Sequence, residues 1–138
     1  MNRPARTAGY SGTPLVAKLG LKAGARMQLV SAPAAFGDTI GPLPDGVKPV
    51  TRGTLDFAML FVRGTSELKK GFPRLRDRLE SNGVLWVAWP KKASGVETDV
   101  SENIVRSIGL EAGLVDVKVC AVDETWSGLK FVRRLRDR

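Results

Sequence analysis

The sequence contains no histidine and only one cysteine, and each scarcity excludes a class of site. Without an imidazole there is no Ser-His-Asp or Cys-His nucleophile, no histidine-ligated zinc and no histidine general base. Cys120 by itself forms neither an intrachain disulfide nor a cysteine-rich metal site, so we predict no metal. Proton transfer near neutral pH would therefore fall to a carboxylate or a lysine.

Long apolar runs are absent as well. No stretch approaches the roughly 18 consecutive apolar residues of a membrane-spanning helix, and the basic N-terminus leads into no apolar signal core. An unpaired cysteine in a strand-like run, VKVCAV, is typical of a reducing compartment. We therefore expect a cytoplasmic protein that does not associate with membranes.

The 138 residues are 43% apolar and 26% charged, which is typical of one globular domain with its own core. The formal net charge of +8 is concentrated at the two ends, since residues 1–37 contain five basic and no acidic residues and residues 130–138 contain five basic residues and one acidic residue. Such ends either contact the phosphates of a nucleic acid or remain solvated tails. We expect a flexible basic arm at residues 1–12, a single domain at 13–134 and a basic tail at 135–138.

Apolar periodicity predicts alternating strands and helices. A continuous apolar run such as Leu55–Val62 is typical of a strand covered on both faces. In the helix that follows this run, Pro73 predicts a kink or a late start, and Thr98 or Asp99 is the expected N-cap of the next helix. The predicted strands are Arg26–Ser31, Val47–Thr51, Leu55–Val62, Val84–Trp89, Leu114–Val122 and Leu129–Arg134, after a short helix Pro14–Leu19. The predicted helical faces are Leu68, Phe72, Leu75 and Leu79, and Val100, Ile104, Ile108 and Ala112.

The repeated order strand–helix–strand implies a parallel sheet with right-handed crossovers, and the last two strands form an antiparallel hairpin. We predict an α/β fold: a single-domain, Rossmann-like three-layer sandwich with a mostly parallel sheet and a C-terminal antiparallel hairpin. This topology resembles a trimmed methyltransferase-type Rossmann domain. Topology alone assigns no function.

Ligands of such sheets bind at the carboxyl ends of the strands, where three segments of this chain are expected. The first segment, SAPAAFGDTIG, has only Gly37 and Gly41 where a dinucleotide or S-adenosylmethionine site requires glycines close to the strand. Pro33 and Phe36 interrupt it, and Arg52 follows the second strand in place of the acidic residue that holds ribose hydroxyls. We therefore predict no cofactor.

The second segment, PKKASG, lies between a strand and a helix. It supplies Lys91, Lys92, Ser94 and Gly95, whose ammonium groups, hydroxyl and backbone donors are suited to binding an anion. The P-loop spacing is missing. The alternative interpretation is a solvent-exposed loop.

The third segment, DETWSG, supplies Asp123, Glu124, Thr125 and Trp126 as a ligand-facing hairpin turn. Adjacent residues of a strand point to opposite sides, so Asp123 and Glu124 form a poor acid–base pair. Trp126 either covers a bound ligand or caps the edge of the core. The pattern assigns no catalytic residue.

The segments SGTPLVAKLGLKAG, VLWVAWPKKASGVETD and VKVCAVDETWSGLKFVRR resemble a family of small bacterial proteins of unknown function. The resemblance extends over nearly the whole chain, and its motifs are WPKKASG and DETWSGLKF. Because that family has no established reaction, the resemblance implies none here. It directs attention to PKKASG and DETWSG, which lie within its two motifs.

These observations are consistent with three functions. We favour a non-catalytic binding protein with an anionic-ligand site at the carboxyl ends of the strands. The alternatives are a methyltransferase-like enzyme with a non-standard cofactor site, in which Asp123, Glu124 or Lys91 transfers protons, and a nucleic-acid-associated protein that uses its basic ends. The exposed edges of the sheet would also allow a homodimer.

Overall fold

The computed structural model describes residues 13–138, so the arm predicted for residues 1–12 lies outside the described part of the chain. The elements are α1 (Leu15–Leu19), β1 (Arg26–Val30), α2 (Phe36–Ile40), β2 (Lys48–Pro49), β3 (Leu55–Phe61), α3 (Thr65–Arg78), β4 (Leu79–Pro90), α4 (Glu102–Glu111), β5 (Leu114–Ala121) and β6 (Trp126–Arg133). Two short 3₁₀ segments lie at Lys92–Ser94 and Leu135–Asp137. Within the described residues, no helix combines the length and apolar composition needed to cross a membrane.

The six strands form one sheet in the order β2-β1-β3-β4-β6-β5. Strands β1 to β4 pair in parallel, whereas β6 is antiparallel to both β4 and β5. This confirms the predicted α/β class and the C-terminal antiparallel hairpin. The ends of β1, β3 and β4 and the turn between β5 and β6 therefore share one side of the sheet, called the carboxyl edge below.

Apolar side chains are buried on both faces of the sheet. One core lies under α3 and α4 and includes Leu68, Phe72 and Leu75 of the predicted face of α3. The fourth predicted residue, Leu79, is buried in the same core but is the first residue of β4, so its assignment to the helix is wrong. The other core lies under α1 and α2 and includes Phe57, Phe61 and Trp86. Because helices cover both faces, β3 and residues 84–90 of β4 can be apolar almost without interruption, as their sequences indicate.

Helix α1 is held on the sheet by a single buried hydrogen bond. The Nε1–H of Trp86 donates to the carbonyl oxygen of Leu19 at 2.7 Å. Gly20 ends the helix with φ +78°, a left-handed conformation that favours glycine. Pro14 occupies the N-cap position, so the helix begins one residue later than predicted.

Helix α3 begins at Thr65 and contains Pro73 in its interior. The predicted late start is therefore wrong. Leu68 and Phe72 on one side of the proline and Leu75 on the other are all buried against the sheet. Tertiary packing of this apolar face outweighs the backbone hydrogen bond that the proline removes.

The expected N-cap of α4 is also corrected. Ser101 caps this helix, because its hydroxyl accepts a hydrogen bond from the Ile104 N–H at 3.3 Å. Asp99 instead accepts from both the N–H and the hydroxyl of Thr65, each at 2.8 Å, and so stabilises the start of α3. Local spacing shows only that a capping residue is needed near the start of α4. The fold instead brings Asp99 to Thr65 at the start of α3, 34 residues earlier in the chain.

Stability is expected to fall in acid because of carboxylates such as Asp56. The hydrogen bond from the Arg26 side chain lowers the pKa of this carboxyl in the folded protein. A lowered folded-state pKa stabilises the fold at any pH above the unfolded value of about 4, and this stabilisation is lost as pH falls through the folded pKa. We expect urea midpoints that are constant from pH 7 to about pH 5 and then fall, with a shallower fall in Asp56→Asn. An equally steep fall in the variant would contradict this assignment.

Candidate functional site

The structure brings the PKKASG loop and the DETWSG turn together at the carboxyl edge. Pro90, the last residue of β4, pairs with Trp126, the first residue of β6. One residue further on, the N–H of Lys91 donates to the carbonyl oxygen of Thr125 at 2.8 Å. The two segments that the sequence singled out are therefore adjacent, although residues 96–122 lie between them in the chain.

Part of the PKKASG loop is used to hold its own shape. The Ser94 hydroxyl donates to the carbonyl oxygen of Lys91 at 2.6 Å and accepts from the Val96 N–H at 3.2 Å. Gly95 reverses the chain with φ +78°. The ammonium groups of Lys91, which is half-buried, and Lys92, which is exposed, remain for a ligand.

The acidic residues of DETWSG are similarly occupied or exposed. Asp123 Oδ1 accepts hydrogen bonds from the N–H groups of Thr125 and Trp126, both at 2.8 Å, which closes the turn. Glu124 is exposed at its tip. The structure thus gives Asp123 a structural task and leaves the adjacent carboxylates without an acid–base geometry.

Trp126 lies in a chain of aromatic contacts rather than over a cleft. Its side chain is 5% exposed. Its ring packs edge-to-face on Phe61, with centroids 5.2 Å apart, and Phe61 packs in the same way on Phe36 at 4.9 Å. This position corresponds to the interpretation of Trp126 as a cap over the core.

Arg63 is a residue of this edge that sequence reasoning missed. The central carbon of its guanidinium lies 5.1 Å from the centre of the Trp126 ring. Within residues 13–138 the guanidinium forms no hydrogen bond and no ion pair. Pairing of Phe61 with Ala88 in the parallel sheet places Arg63 beside the start of the PKKASG loop. Its position as the first charged residue after an apolar parallel strand is the signal that would have identified it.

Cys120 is buried near the carboxyl end of β5, in the core under α1. Burial raises the pKa of its thiol, which outweighs the opposite effect of Lys18, Lys118 and Lys91. A thiol with a raised pKa is a poor nucleophile. No group of three or more acidic, cysteine or histidine side chains suited to a metal occurs in the described part of the chain.

No family model matches this chain, and no curated protein matches its sequence. Solved structures do resemble it: magnesium protoporphyrin IX methyltransferase from Synechocystis PCC 6803, with bound SAM, superposes with a TM-score of 0.58 at 12% identity, over 87% of this chain and 74% of that one. The fold is a methyltransferase-like Rossmann fold. Fibrillarin from Aeropyrum pernix, with natively bound S-adenosyl-L-methionine, superposes with a TM-score of 0.53 at 17% identity, over 90% of this chain and 70% of that one.

A third similar structure, the CcbJ methyltransferase from Streptomyces caelestis, gives a TM-score of 0.54 at 12% identity, over 87% of this chain and 92% of that one. Identities this low establish the fold alone. Whether this chain suits S-adenosylmethionine depends on its own residues at the carboxyl edge.

The turn after β1 does not suit S-adenosylmethionine. Backbone can approach such a ligand closely only where side chains are absent. Here Pro33 lies in the turn, and Phe36 is buried against Phe61. Gly37 belongs to α2 and Gly41 caps its end, so neither lies between strand and helix.

The residues after β2 do not suit the ribose of that cofactor. Val50, Thr51 and Arg52 follow this strand, so a carboxylate for the two hydroxyls is missing there. Together with the filled turn after β1, this means that the residues at the carboxyl edge do not fit S-adenosylmethionine.

Proposed function

We propose that this protein is a non-catalytic binding protein for a small anionic ligand at the carboxyl edge of the sheet. The observation that carries the proposal is the Arg63 guanidinium, stacked on Trp126 beside the Lys91 loop without a carboxylate partner in the described residues. A planar guanidinium with free N–H groups is the side chain best matched to a carboxylate or phosphate. Lys91 and Lys92 add two positive charges at the same place.

The same geometry argues against catalysis by these segments. Of the groups considered for proton transfer, Asp123 uses its Oδ1 to close its own turn, and Glu124 is exposed at the tip of that turn. A general base must lie within reach of the proton that it abstracts and have free acceptor capacity. The resemblance to small bacterial proteins of unknown function brings no reaction that would change this proposal.

The basic ends support the nucleic-acid alternative less well. Arg133 donates to the carbonyl oxygens of Arg76 and Leu79, at 2.9 and 2.7 Å, and Arg138 donates to that of Arg133 at 2.9 Å. Arg133 thus holds backbone within the domain, whereas Arg136 and Arg138 are exposed. The arm at residues 1–12 stays a prediction.

Binding at the carboxyl edge is expected to depend on Arg63, Lys91 and Lys92. We would measure thermal unfolding in the presence of acetate and of citrate, since a ligand at 100 times its dissociation constant adds about 2.7 kcal/mol of stability. In a domain of this size that is a shift of several degrees. We expect the shift to disappear in Arg63→Gln and in the double variant Lys91→Ala/Lys92→Ala.

The matched control is Lys48→Ala/Arg74→Ala, which removes two exposed basic side chains, one at the start of β2 and one in the second half of α3. This variant should retain the full ligand-induced shift. The proposed function would be contradicted if the shift in unfolding temperature persisted in the Arg63 and Lys91/Lys92 variants. It would also be contradicted if neither of these anions shifted the unfolding temperature of the unchanged protein.

A further inference from the structure

Three lysines converge under α1 near the opposite, amino-terminal side of the sheet. Lys118 on β5 and Lys130 on β6 are direct partners across the two strands. Lys22 lies in the turn after α1 and is close enough to repel Lys130. Like charges that face each other across a strand pair destabilise a sheet, so this arrangement requires a compensating interaction.

Lys130 is the least well compensated of the three. Its side chain is half-buried, and among the described residues its ammonium group has neither a hydrogen bond nor an ion pair. Burial first, and then repulsion from Lys118 and Lys22, lowers its pKa. A carbon added at Gly20 would approach the Lys130 Nζ to 3.3 Å, so the ammonium group lies close against the end of α1.

A cavity of about 160 Å³ opens beside this ammonium group. Its lining includes Lys22, Lys130, Asn82 and Asp56. Asp56 does not neutralise the lysines, because its Oδ2 accepts from the N–H and Nε–H of Arg26 and its Oδ1 accepts from Nη2, all at 2.9 Å. The cavity therefore has two unneutralised ammonium groups, an amide donor and a carboxylate that is already paired.

The size of the cavity restricts what it can hold. Pockets for larger organic ligands measure roughly 300–1,000 Å³, and a water molecule takes about 30 Å³ of liquid volume. A volume near 160 Å³ suits one tetrahedral anion with a few waters, and it is too small for a nucleoside. Lys118 does not line the cavity, because its Nζ donates a hydrogen bond to the carbonyl oxygen of Lys18 at 3.3 Å. Its positive charge nevertheless acts on Lys130.

We propose that Lys22 and Lys130, supported by the charge of Lys118, bind a phosphate group in this cavity. The phosphate is supplied either free in solution or by the backbone of a nucleic acid, and both sources present the same tetrahedral oxyanion. This site is separate from the one proposed at the carboxyl edge and does not depend on it.

The test measures dissociation constants for inorganic phosphate and for a short DNA duplex, each by calorimetric titration of the full chain at low salt. For whichever probe binds, we expect the double variant Lys22→Gln/Lys130→Gln to bind at least tenfold more weakly. Lys69→Gln/Lys70→Gln, which removes the same charge from α3, should bind that probe nearly as well as the unchanged protein.

The outcomes distinguish the two sources. Binding of inorganic phosphate that the double variant loses supports a free anion, whereas binding of the duplex alone, lost in the same variant and weakened steeply by salt, supports a nucleic-acid backbone. Without ligand, the double variant should unfold at the same or a higher temperature, because repulsion is relieved. Failure of both probes to bind, or equal binding by the double variant and the unchanged protein, would overturn the proposal.

Discussion

Replacement of Trp86 with alanine is expected to lower the free energy of unfolding by about 3–5 kcal/mol. The indole is 0% exposed and lies in the core under α1 and α2. Its removal leaves a large cavity between the sheet and these helices. It also deletes the hydrogen bond to the carbonyl oxygen of Leu19, by which α1 is held on the sheet. Urea unfolding, with the slope compared between variants, measures the loss.

A second variant separates the two contributions. Trp86→Phe keeps most of the buried ring but leaves the Leu19 carbonyl oxygen without its donor, for which we expect about 1–3 kcal/mol. As a control, Leu135→Ala removes a side chain that is 79% exposed, so it should change stability by no more than about 0.5 kcal/mol. If Trp86→Ala proved as mild as this control, the assigned packing of α1 on the sheet would be wrong.

Gly109→Ala is expected to destabilise the protein, although alanine is the better helix former by about 1 kcal/mol. Gly109 is buried in α4, and a Cβ there would overlap the ring of Phe131. That ring is itself buried and packs edge-to-face on Phe72, with centroids 5.4 Å apart. Since the ring has little room to move, overpacking should cost about 1–3 kcal/mol in total.

The matched control for this effect is Gly37→Ala, again in a helix. A Cβ at Gly37 would meet no atom within 4 Å, so the intrinsic preference for alanine should stabilise the protein by up to about 1 kcal/mol. The same substitution is thus expected to have opposite signs at the two positions. Equal effects on the urea midpoint would show that α4 and β6 are less closely packed than the structure indicates.

Sequence reasoning predicted the parts of the fold that depend on long apolar patterns. The runs at β3 and β4 and the apolar face of α3 are strong signals, because every residue in them contributes to the same period. The prediction of the buried face of α4 was less accurate. Val105 and Gly109 are its buried positions, whereas Ile104 and Ile108 are only partly buried. An apolar pattern cannot detect a glycine that is required for close packing.

For the candidate sites, the sequence predicted which segments lie at the carboxyl edge but not which side chains contact each other there. The rule that carboxyl ends of parallel strands share an edge placed Lys91 near Asp123, as the structure has them. The contact between Arg63 and Trp126 involves residues 63 positions apart, which no local pattern links. The Lys118–Lys130 pair depends on a bulge between Asp116 and Lys118, which shifts the register of the hairpin by one residue.

The sequence by itself determined the class of fold, the two covered faces of the sheet and the exclusion of imidazole and disulfide chemistry. These properties follow from composition and from periods of two and 3.6 residues, which are local. Only the tertiary structure decided which charged groups lie together: Asp99 at the start of α3, Arg63 over Trp126, and Lys22 and Lys118 near Lys130. Contacts of this kind depend on strand order and register. Both arise when distant segments pack together, so a local sequence pattern does not contain them.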